Sequence, residues 1–99
     1  MLNSKQRAKL KSIASESSAI FQIGKGGIGG AAVKSISDAL ESRELVKISV
    51  LDNSDEEPRE AAEEIASLTS SEVVTVIGRK IILFKVSSKP EKRNISSLI

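Results

Sequence analysis

The chain contains neither cysteine nor histidine in its 99 residues. Without cysteine there is no disulfide, thiolate metal ligand or cysteine nucleophile, and without histidine there is no imidazole for acid–base chemistry. The remaining carboxylates surround no basic or apolar pocket that the sequence identifies. We therefore expect a protein that is not an enzyme and that has no metal, no cofactor and no small-molecule substrate.

Aromatic residues are also scarce, because Phe21 and Phe84 are the only two. Each lies inside an apolar run that predicts a strand, so we expect both in the core. Proteins that bind single-stranded nucleic acid by stacking need exposed aromatic side chains on a sheet. If the ligand is a nucleic acid, this scarcity favours a structured one that is held by its shape and backbone.

Long apolar runs are missing as well. No apolar stretch approaches the ~18 residues of a membrane span, and residues 1–11 carry four cations without the apolar run of a signal peptide. We expect a cytoplasmic protein with no membrane partner. The length suits a single domain at residues 1–86, followed by a basic C-terminal tail at 87–99, and we expect a monomer.

Charge is unevenly distributed along the chain, although the net charge is only +2. Residues 52–64 contain seven acids and one base, which leaves a net charge of about +8 on the remaining residues. Such asymmetry predicts one side that meets a polyanion and another that stays in solvent. A plain solubility role for the charges is the alternative.

Hydrophobic periodicity predicts the element order α-β-α-β-α-β-β. The first strand, the second helix and the second strand form a βαβ unit with parallel strands. A turn at Gly78 and Arg79 joins the last two strands as an antiparallel hairpin. The predicted helices span about 4–15, 30–43 and 58–68, and the predicted strands span 19–23, 45–51, 73–77 and 81–86.

The predicted fold class is α/β in the broad sense, and more narrowly α+β, with two layers. We expect a mixed four-stranded sheet and three helices. The strands lack clean polar alternation, so we expect the helices to cover much of the sheet. Residues 87–99 are polar and basic, which predicts a loose tail, although Ile95, Leu98 and Ile99 offer apolar side chains for local docking.

A glycine-rich segment joins the first predicted strand to the second helix. It holds Gly24, Lys25, Gly26 and Gly27, and the helix after it points a positive N-terminus at the loop. The segment lacks the spacing and the Lys-Ser/Thr pair of a triphosphate-binding loop, and one βαβ unit is too small for a dinucleotide fold. A purely structural turn is an alternative. The G-x-x-G pattern favours a loop that clamps a nucleic-acid backbone, as in KH domains.

The first predicted helix supplies a group of cations. At helical spacing, Lys5 and Lys9 fall on one flank of its apolar stripe, and Arg7 and Lys11 fall on the other. Lys34 on the second helix extends this cationic field. The alternative is that these long side chains border a core stripe and extend into solvent.

Four segments in order carry a resemblance to a known family. They are LNSKQRAKLK (2–11), QIGKGGI (22–28), DALESRELVKI (38–48) and VIGRKIILFK (76–85). Together they resemble the bacterial YhbY family, whose domain is called CRM, for chloroplast RNA splicing and ribosome maturation. The resemblance implies a fold similar to the C-terminal domain of translation initiation factor three. It also implies a non-enzymatic RNA-binding protein that associates with the precursor of the large ribosomal subunit, through rRNA, and assists ribosome assembly.

The resemblance also assigns residues. Arg43 stands where many relatives have His, and Gly29 stands where a helix-capping Thr is usual. Phe84 and Lys85 replace the usual Tyr and Arg. The expected RNA-binding residues are Gly24, Lys25, Gly26, Gly27, Lys5, Arg7, Lys9, Lys11, Lys34 and Arg43.

Two alternatives stay open. A KH-like RNA-binding module would place helix, and not strand, at residues 19–23, before the glycine loop. A protein-interaction module would dock a basic partner on the acidic third helix, whose acids are otherwise a solvated face; these acids are Glu57, Glu60, Glu63 and Glu64.

Overall fold

The structure is a computed structural model that describes residues 2–99. Its helices and strands follow the predicted order, with boundaries within two residues of the prediction. They are α1 (Ser4–Ser15), β1 (Phe21–Ile23), α2 (Gly30–Arg43), β2 (Leu45–Val50), α3 (Pro58–Thr69), β3 (Glu72–Ile77) and β4 (Lys80–Phe84). Two 3₁₀ turns, Pro90–Lys92 and Ser96–Leu98, follow the last strand. The α+β class with three helices and a mixed four-stranded sheet is confirmed.

The strands form one sheet in the order β1-β2-β4-β3. β1 and β2 are parallel and pair Phe21 with Ile48, because α2 carries the chain back to the edge where β1 began. β4 is antiparallel to both of its neighbours, β2 and β3. A tight turn joins β3 to β4, and there Gly78 has a φ of 58° that favours glycine. The predicted βαβ unit and hairpin are both confirmed.

Each face of the sheet has its own hydrophobic core. α2 and α3 cover one face, which we name the α2/α3 face. Its core includes Ile36, Leu40, Ile48, Ile65, Ile81 and Leu83. α1 covers part of the opposite face, which we name the α1 face, and its core includes Leu10, Ala14, Val74, Ile82 and Phe84. Side chains from Ile81 to Phe84 alternate between the two cores, so β4 is apolar after Lys80 instead of alternating with polar residues.

The three helices begin in different ways. Asn3 caps α1 in a capping box, in which its Oδ1 accepts from the N–H of Gln6 at 2.8 Å. The side chain of Glu57 caps α3, and Pro58 occupies the first turn, where its missing N–H costs nothing. Gly29 precedes α2 and provides no side-chain cap. The start of α2 is therefore left open at its backbone N–H groups.

Arg7 fastens the N-terminal half of α1 to β3. Its Nη1 donates to the carbonyl oxygens of Val73 and Val74, and its Nη2 pairs with Glu72 Oε2 at 2.9 Å. These carbonyls lie at a β-bulge, where the register shifts between Val73 and Thr75. The guanidinium thus occupies acceptors on an edge strand, which would otherwise be open to pairing.

Residues after β4 are docked on the domain, in contrast to the loose tail that their composition predicted. The carboxylate of Glu44 is fully buried and accepts bonds from the backbone N–H groups of Ser87, Ile95 and Ser96. Ile95 and Ile99 pack against the core of the α1 face, whereas the side chain of Leu98 stays exposed. The local docking of apolar side chains that the sequence allowed therefore occurs at Ile95 and Ile99, and the buried carboxylate of Glu44 holds the backbone of the segment in place.

Candidate nucleic-acid interface

Three connections meet at one edge of the sheet, which we name the loop edge. The parallel strands β1 and β2 both end there, so the glycine loop at 24–29 and the link at 51–57 lie side by side. The N–H of Leu51 donates to the carbonyl of Ile23 at 2.8 Å and joins the two connections. Because β4 is antiparallel to β2, the β3–β4 turn at 78–79 lies at the same edge. The glycine loop is therefore part of a composite surface.

The glycine loop is a tight turn with its lysine at the tip. The N–H of Gly27 donates to the carbonyl of Gly24 at 3.0 Å, and Lys25 is exposed between them. Gly27 has a φ of 69°, which an L side chain adopts only with strain. A Cβ on Gly26 would meet no atom within 4 Å. The loop therefore leaves a side-chain-free surface at Gly26, beside the exposed charge of Lys25 and the uncapped start of α2.

Arg79 ties the β3–β4 turn to the end of β2. Its Nε donates to the carbonyl of Val50 and its Nη2 to the carbonyl of Leu51, each at 2.8 Å. The same guanidinium lies 3.3 Å from Asp52. The sequence predicts only a turn at Arg79, whereas in the structure its side chain joins the β3–β4 turn to the end of β2 at the loop edge.

The acidic segment begins at the loop edge, next to the glycine loop. A Cβ on Gly27 would lie 3.2 Å from Glu56 Oε1, and a Cβ on Gly24 would lie 3.7 Å from Asn53 Oδ1. The acidic segment therefore reaches the loop edge itself, beside the glycine loop, instead of lying wholly on a surface away from it. The reason is topological, since β1 and β2 are parallel and their following segments must emerge together.

The predicted cations fall into three groups. Arg7 and Lys34 are engaged with acids, Arg7 with Glu72 and Lys34 with Asp38 at 3.3 Å. Lys34 and Asp38 are both largely exposed, so this pair constrains Lys34 only weakly. Arg43 ends α2 and lies about 20 Å along the helix from its start, given a rise of about 1.5 Å per residue.

The remaining predicted cations are exposed and are in none of the three ion pairs that the structure contains within residues 2–99. Lys25 stands at the loop edge. The others lie on α1, which packs on the α1 face; they are Lys5, Lys9 and Lys11. Lys25 is therefore exposed within the glycine loop, whereas Arg43 lies at the other end of α2.

Two lysines on the α1 face were not among the predicted site residues. The ammonium of Lys80 donates to Ser49 Oγ at 2.9 Å, and Lys80 remains exposed near the loop edge. Lys47 Nζ donates to the carbonyl of Ser17 at 3.2 Å, beyond the C-terminal end of α1. Alternation along β2 places Lys47 and Ser49 on the face opposite Val46, and this is the sequence signal that could have revealed Lys47.

Other kinds of site find no support within residues 2–99. No group of three Asp or Glu side chains in this part of the chain is arranged to hold a metal ion. None of its helices is both long enough and apolar enough to cross a bilayer. β1 enters the glycine loop as a strand, which is the outcome that disfavours the KH-like alternative.

These features define a small α+β domain in which a βαβ unit presents a lysine-bearing glycine loop at an open edge. The chain belongs to the CRS1/YhbY (CRM) domain family, whose model matches residues 2–85. It is 43% identical over 89 residues to the "Probable RNA-binding protein YqeI" of Bacillus subtilis strain 168, a match that covers 90% of this chain and 93% of that protein.

A solved structure of similar sequence has the same fold. The solution structure of the hypothetical protein SAV1595 from Staphylococcus aureus is 44% identical and superposes with a TM-score of 0.76. The match covers 91% of this chain and 94% of that one. The predicted family is therefore confirmed by both sequence and fold.

Proposed function

We propose that the protein is a non-enzymatic RNA-binding protein that associates with the precursor of the large ribosomal subunit and assists its assembly in the cytoplasm as a monomer. Membership of the CRM family and the name of the Bacillus subtilis relative support the RNA-binding part. The ribosomal part follows from the resemblance to the YhbY family.

The glycine loop is the observation that carries the proposal. Gly26 offers backbone without a side chain, Lys25 supplies a flexible charge, and the uncapped start of α2 faces the same edge. A sugar-phosphate backbone can approach such a surface closely, and its phosphates meet N–H groups and an ammonium. Affinity then comes mainly from phosphates, so it falls steeply with salt and depends little on base sequence.

Structured RNA is the ligand that the surface favours. Phe84 is 5% exposed, and Phe21 is partly buried against the core, so neither presents a ring face for base stacking. An RNA helix offers its backbone and 2′-hydroxyl groups to a protein surface and needs no stacking platform. The RNA is therefore held by its shape and backbone.

The contact residues follow from which predicted cations remain available. Lys25 and the exposed α1 lysines Lys5, Lys9 and Lys11 contribute charge to RNA binding. Arg7 acts chiefly in the fold, because its guanidinium is engaged by β3. Lys34 adds a largely exposed positive charge on α2, whereas Arg43 contributes only to the general field because it lies at the far end of α2.

Sedimentation tests the ribosomal part. Tagged protein from a lysate at low salt is run through a sucrose gradient, and its RNA is crosslinked and identified. We expect the protein in the fractions that hold large-subunit precursors, with crosslinks to large-subunit rRNA. Absence from those fractions would contradict the ribosomal assignment, whereas binding to purified RNA tests the glycine loop separately.

A further inference from the structure

Glu56 is an acid built into the edge of the proposed RNA-binding loop. Its Oε1 lies 3.2 Å from the position of a Cβ on Gly27. The link that carries it is ordered by the buried Ser54, whose N–H donates to the carbonyl of Leu51 and whose Oγ accepts from the N–H of Glu56 at 3.1 Å. The fold therefore fixes the backbone of Glu56 beside the loop, and the carboxylate lies next to Gly27.

Within residues 2–99 no ion pair neutralises the carboxylate of Glu56, in contrast to that of Asp52 at the same edge. Asp52 is within 3.3 Å of Arg79, whereas Glu56 is in none of the ion pairs recorded for residues 2–99. Lys25 stands at the tip of the loop, and no carboxylate in that range lies within 4.0 Å of its ammonium. The loop thus has an uncompensated positive tip with an uncompensated negative charge at its base.

The sheet continues this polarity away from Glu56. Gln22 of β1 and Lys80 of β4 are exposed, and alternation along each strand places them on the α1 face, opposite Ile23 and Ile81. The α2/α3 face begins on the other side of the loop edge, where α3 carries its exposed acids, Glu60, Glu63 and Glu64. Positive and neutral polar groups therefore border the loop on the α1 face, and acids border it on the α3 side.

We propose that Glu56 is a selectivity residue that directs the RNA backbone from the glycine loop onto the α1 face, over Gln22 and Lys80. This inference rests on the proposed RNA-binding function and deepens it. A phosphate that approaches the loop from the α3 side meets the Glu56 carboxylate, whereas one that approaches from the α1 face meets Lys25 first. Glu56 lowers the affinity for any polyanion and thereby restricts binding to backbones that follow the permitted path.

Charge neutralisation beside and away from the loop tests this role. Glu56→Gln and the matched control Glu63→Gln each remove one negative charge, but Glu63 lies on the exposed face of α3. We measure their binding to a fluorescein-labelled RNA stem-loop by polarisation, at low and at high salt. Glu56→Gln is expected to bind about fivefold more tightly than the wild type at low salt, and Glu63→Gln within about twofold.

The outcomes separate this inference from the proposed function. Equal affinities for the two variants, or weaker binding by Glu56→Gln, would overturn the role of Glu56 while leaving RNA binding intact. A wild-type protein that binds no RNA would instead overturn the proposed function. Unchanged thermal unfolding of both variants establishes that the comparison concerns charge and not folding.

The path of the RNA gives a second, independent readout. Because the chain has no cysteine, a single Gln22→Cys or Glu60→Cys substitution can carry an iron–EDTA probe on one chosen side of the loop. We expect strong hydroxyl-radical cleavage of the bound RNA from position 22 and weak cleavage from position 60. Addition of Glu56→Gln should raise the cleavage from position 60. Equal cleavage from both positions with Glu56 present would contradict the proposed path.

Discussion

The carboxylate of Glu44 accepts hydrogen bonds from both the backbone N–H and the hydroxyl of Ser96, at 2.9 and 2.7 Å. Glu44 follows the last residue of α2 and has a φ of 66°, so its strained backbone and its buried charge are at the same residue. The contact joins residues far apart in sequence and closes the C-terminal segment over the core of the α1 face. This segment is thereby part of the folded domain.

Removal of this carboxylate should destabilise the protein. Glu44→Ala leaves the N–H groups of Ser87, Ile95 and Ser96 without their acceptor, and we expect a loss of about 2–3 kcal/mol in the free energy of unfolding. Urea unfolding measures the loss. The exposed Glu63→Ala serves as the control and should change the free energy by less than about 0.5 kcal/mol. Equal stability of the two variants would show that the segment does not depend on Glu44.

Stability should also depend on acid pH through the same residue. Burial raises the pKa of Glu44, but hydrogen bonds from Ser96, Ser87 and Ile95 outweigh it and leave the pKa below its ordinary value of 4.5. The unfolded state therefore binds the proton more readily. The stabilisation is complete above about pH 4.5 and is lost as pH falls through the folded-state pKa.

Urea unfolding of the wild type and of Glu44→Gln between neutral and acid pH checks this dependence. Hydrogen bonds from Ser88 also lower the pKa of Glu41, so a part of the acid loss should remain in the variant. We expect a smaller loss of stability on acidification in Glu44→Gln than in the wild type. Identical pH profiles would contradict the assignment to Glu44.

Arg7 should prove more important for stability than the other α1 cations. Arg7→Ala removes bonds to Val73 and Val74 and the pair with Glu72, and it is expected to cost about 1 kcal/mol, because the side chain is partly exposed. Arg7→Lys should restore little, since an ammonium cannot reproduce the planar fork. Lys9→Ala is the matched control and should leave the melting temperature unchanged. A larger destabilisation by Lys9→Ala would refute the role of Arg7 at the bulge.

The glycines of the loop should separate folding from binding. Gly27→Ala places a Cβ at positive φ and 3.2 Å from Glu56 Oε1, and it should destabilise the protein by about 1–2 kcal/mol. Gly26→Ala meets no atom within 4 Å, so it should keep full stability and weaken RNA binding by blocking close approach of the backbone.

Gly30→Ala provides the comparison for these two variants. It also meets no atom within 4 Å, and as the first residue of α2 it should raise stability by about 0.5 kcal/mol or more. Thermal unfolding and RNA titration on the same three proteins check the set. RNA affinity that follows stability across all three would show that the loop glycines serve only the fold.

The element order could be predicted because each element carries its own periodicity. The stripe of α2 and the β-branched runs of β2 and β4 are local signals, and the glycine loop is visible as a gap between two of them. The docked C-terminal segment could not be predicted, because Glu44 meets Ser87 and Ser96 only after the chain folds. Nothing in the sequence near Glu44 marks it as buried.

The site was predicted less completely than the fold for a related reason. Lys25 and the loop glycines form one continuous segment, so their proximity is certain from the sequence. Glu56 and Arg79 reach the same edge only through strand direction and pairing. Arg7 was grouped with the α1 lysines because helical spacing gives its flank, but spacing cannot reveal the β3 carbonyls that it occupies.

The most direct test of RNA binding by the glycine loop is a polarisation titration of the double variant Lys25→Asp/Gly26→Asp with a labelled stem-loop of large-subunit rRNA. Its control, Lys92→Asp/Asn94→Asp, changes the net charge equally on exposed residues of the C-terminal segment. With both proteins folded by circular dichroism, we predict at least about tenfold weaker binding for the loop variant and at most about twofold for the control. Equal affinity of the two variants for this RNA would contradict RNA binding by the glycine loop.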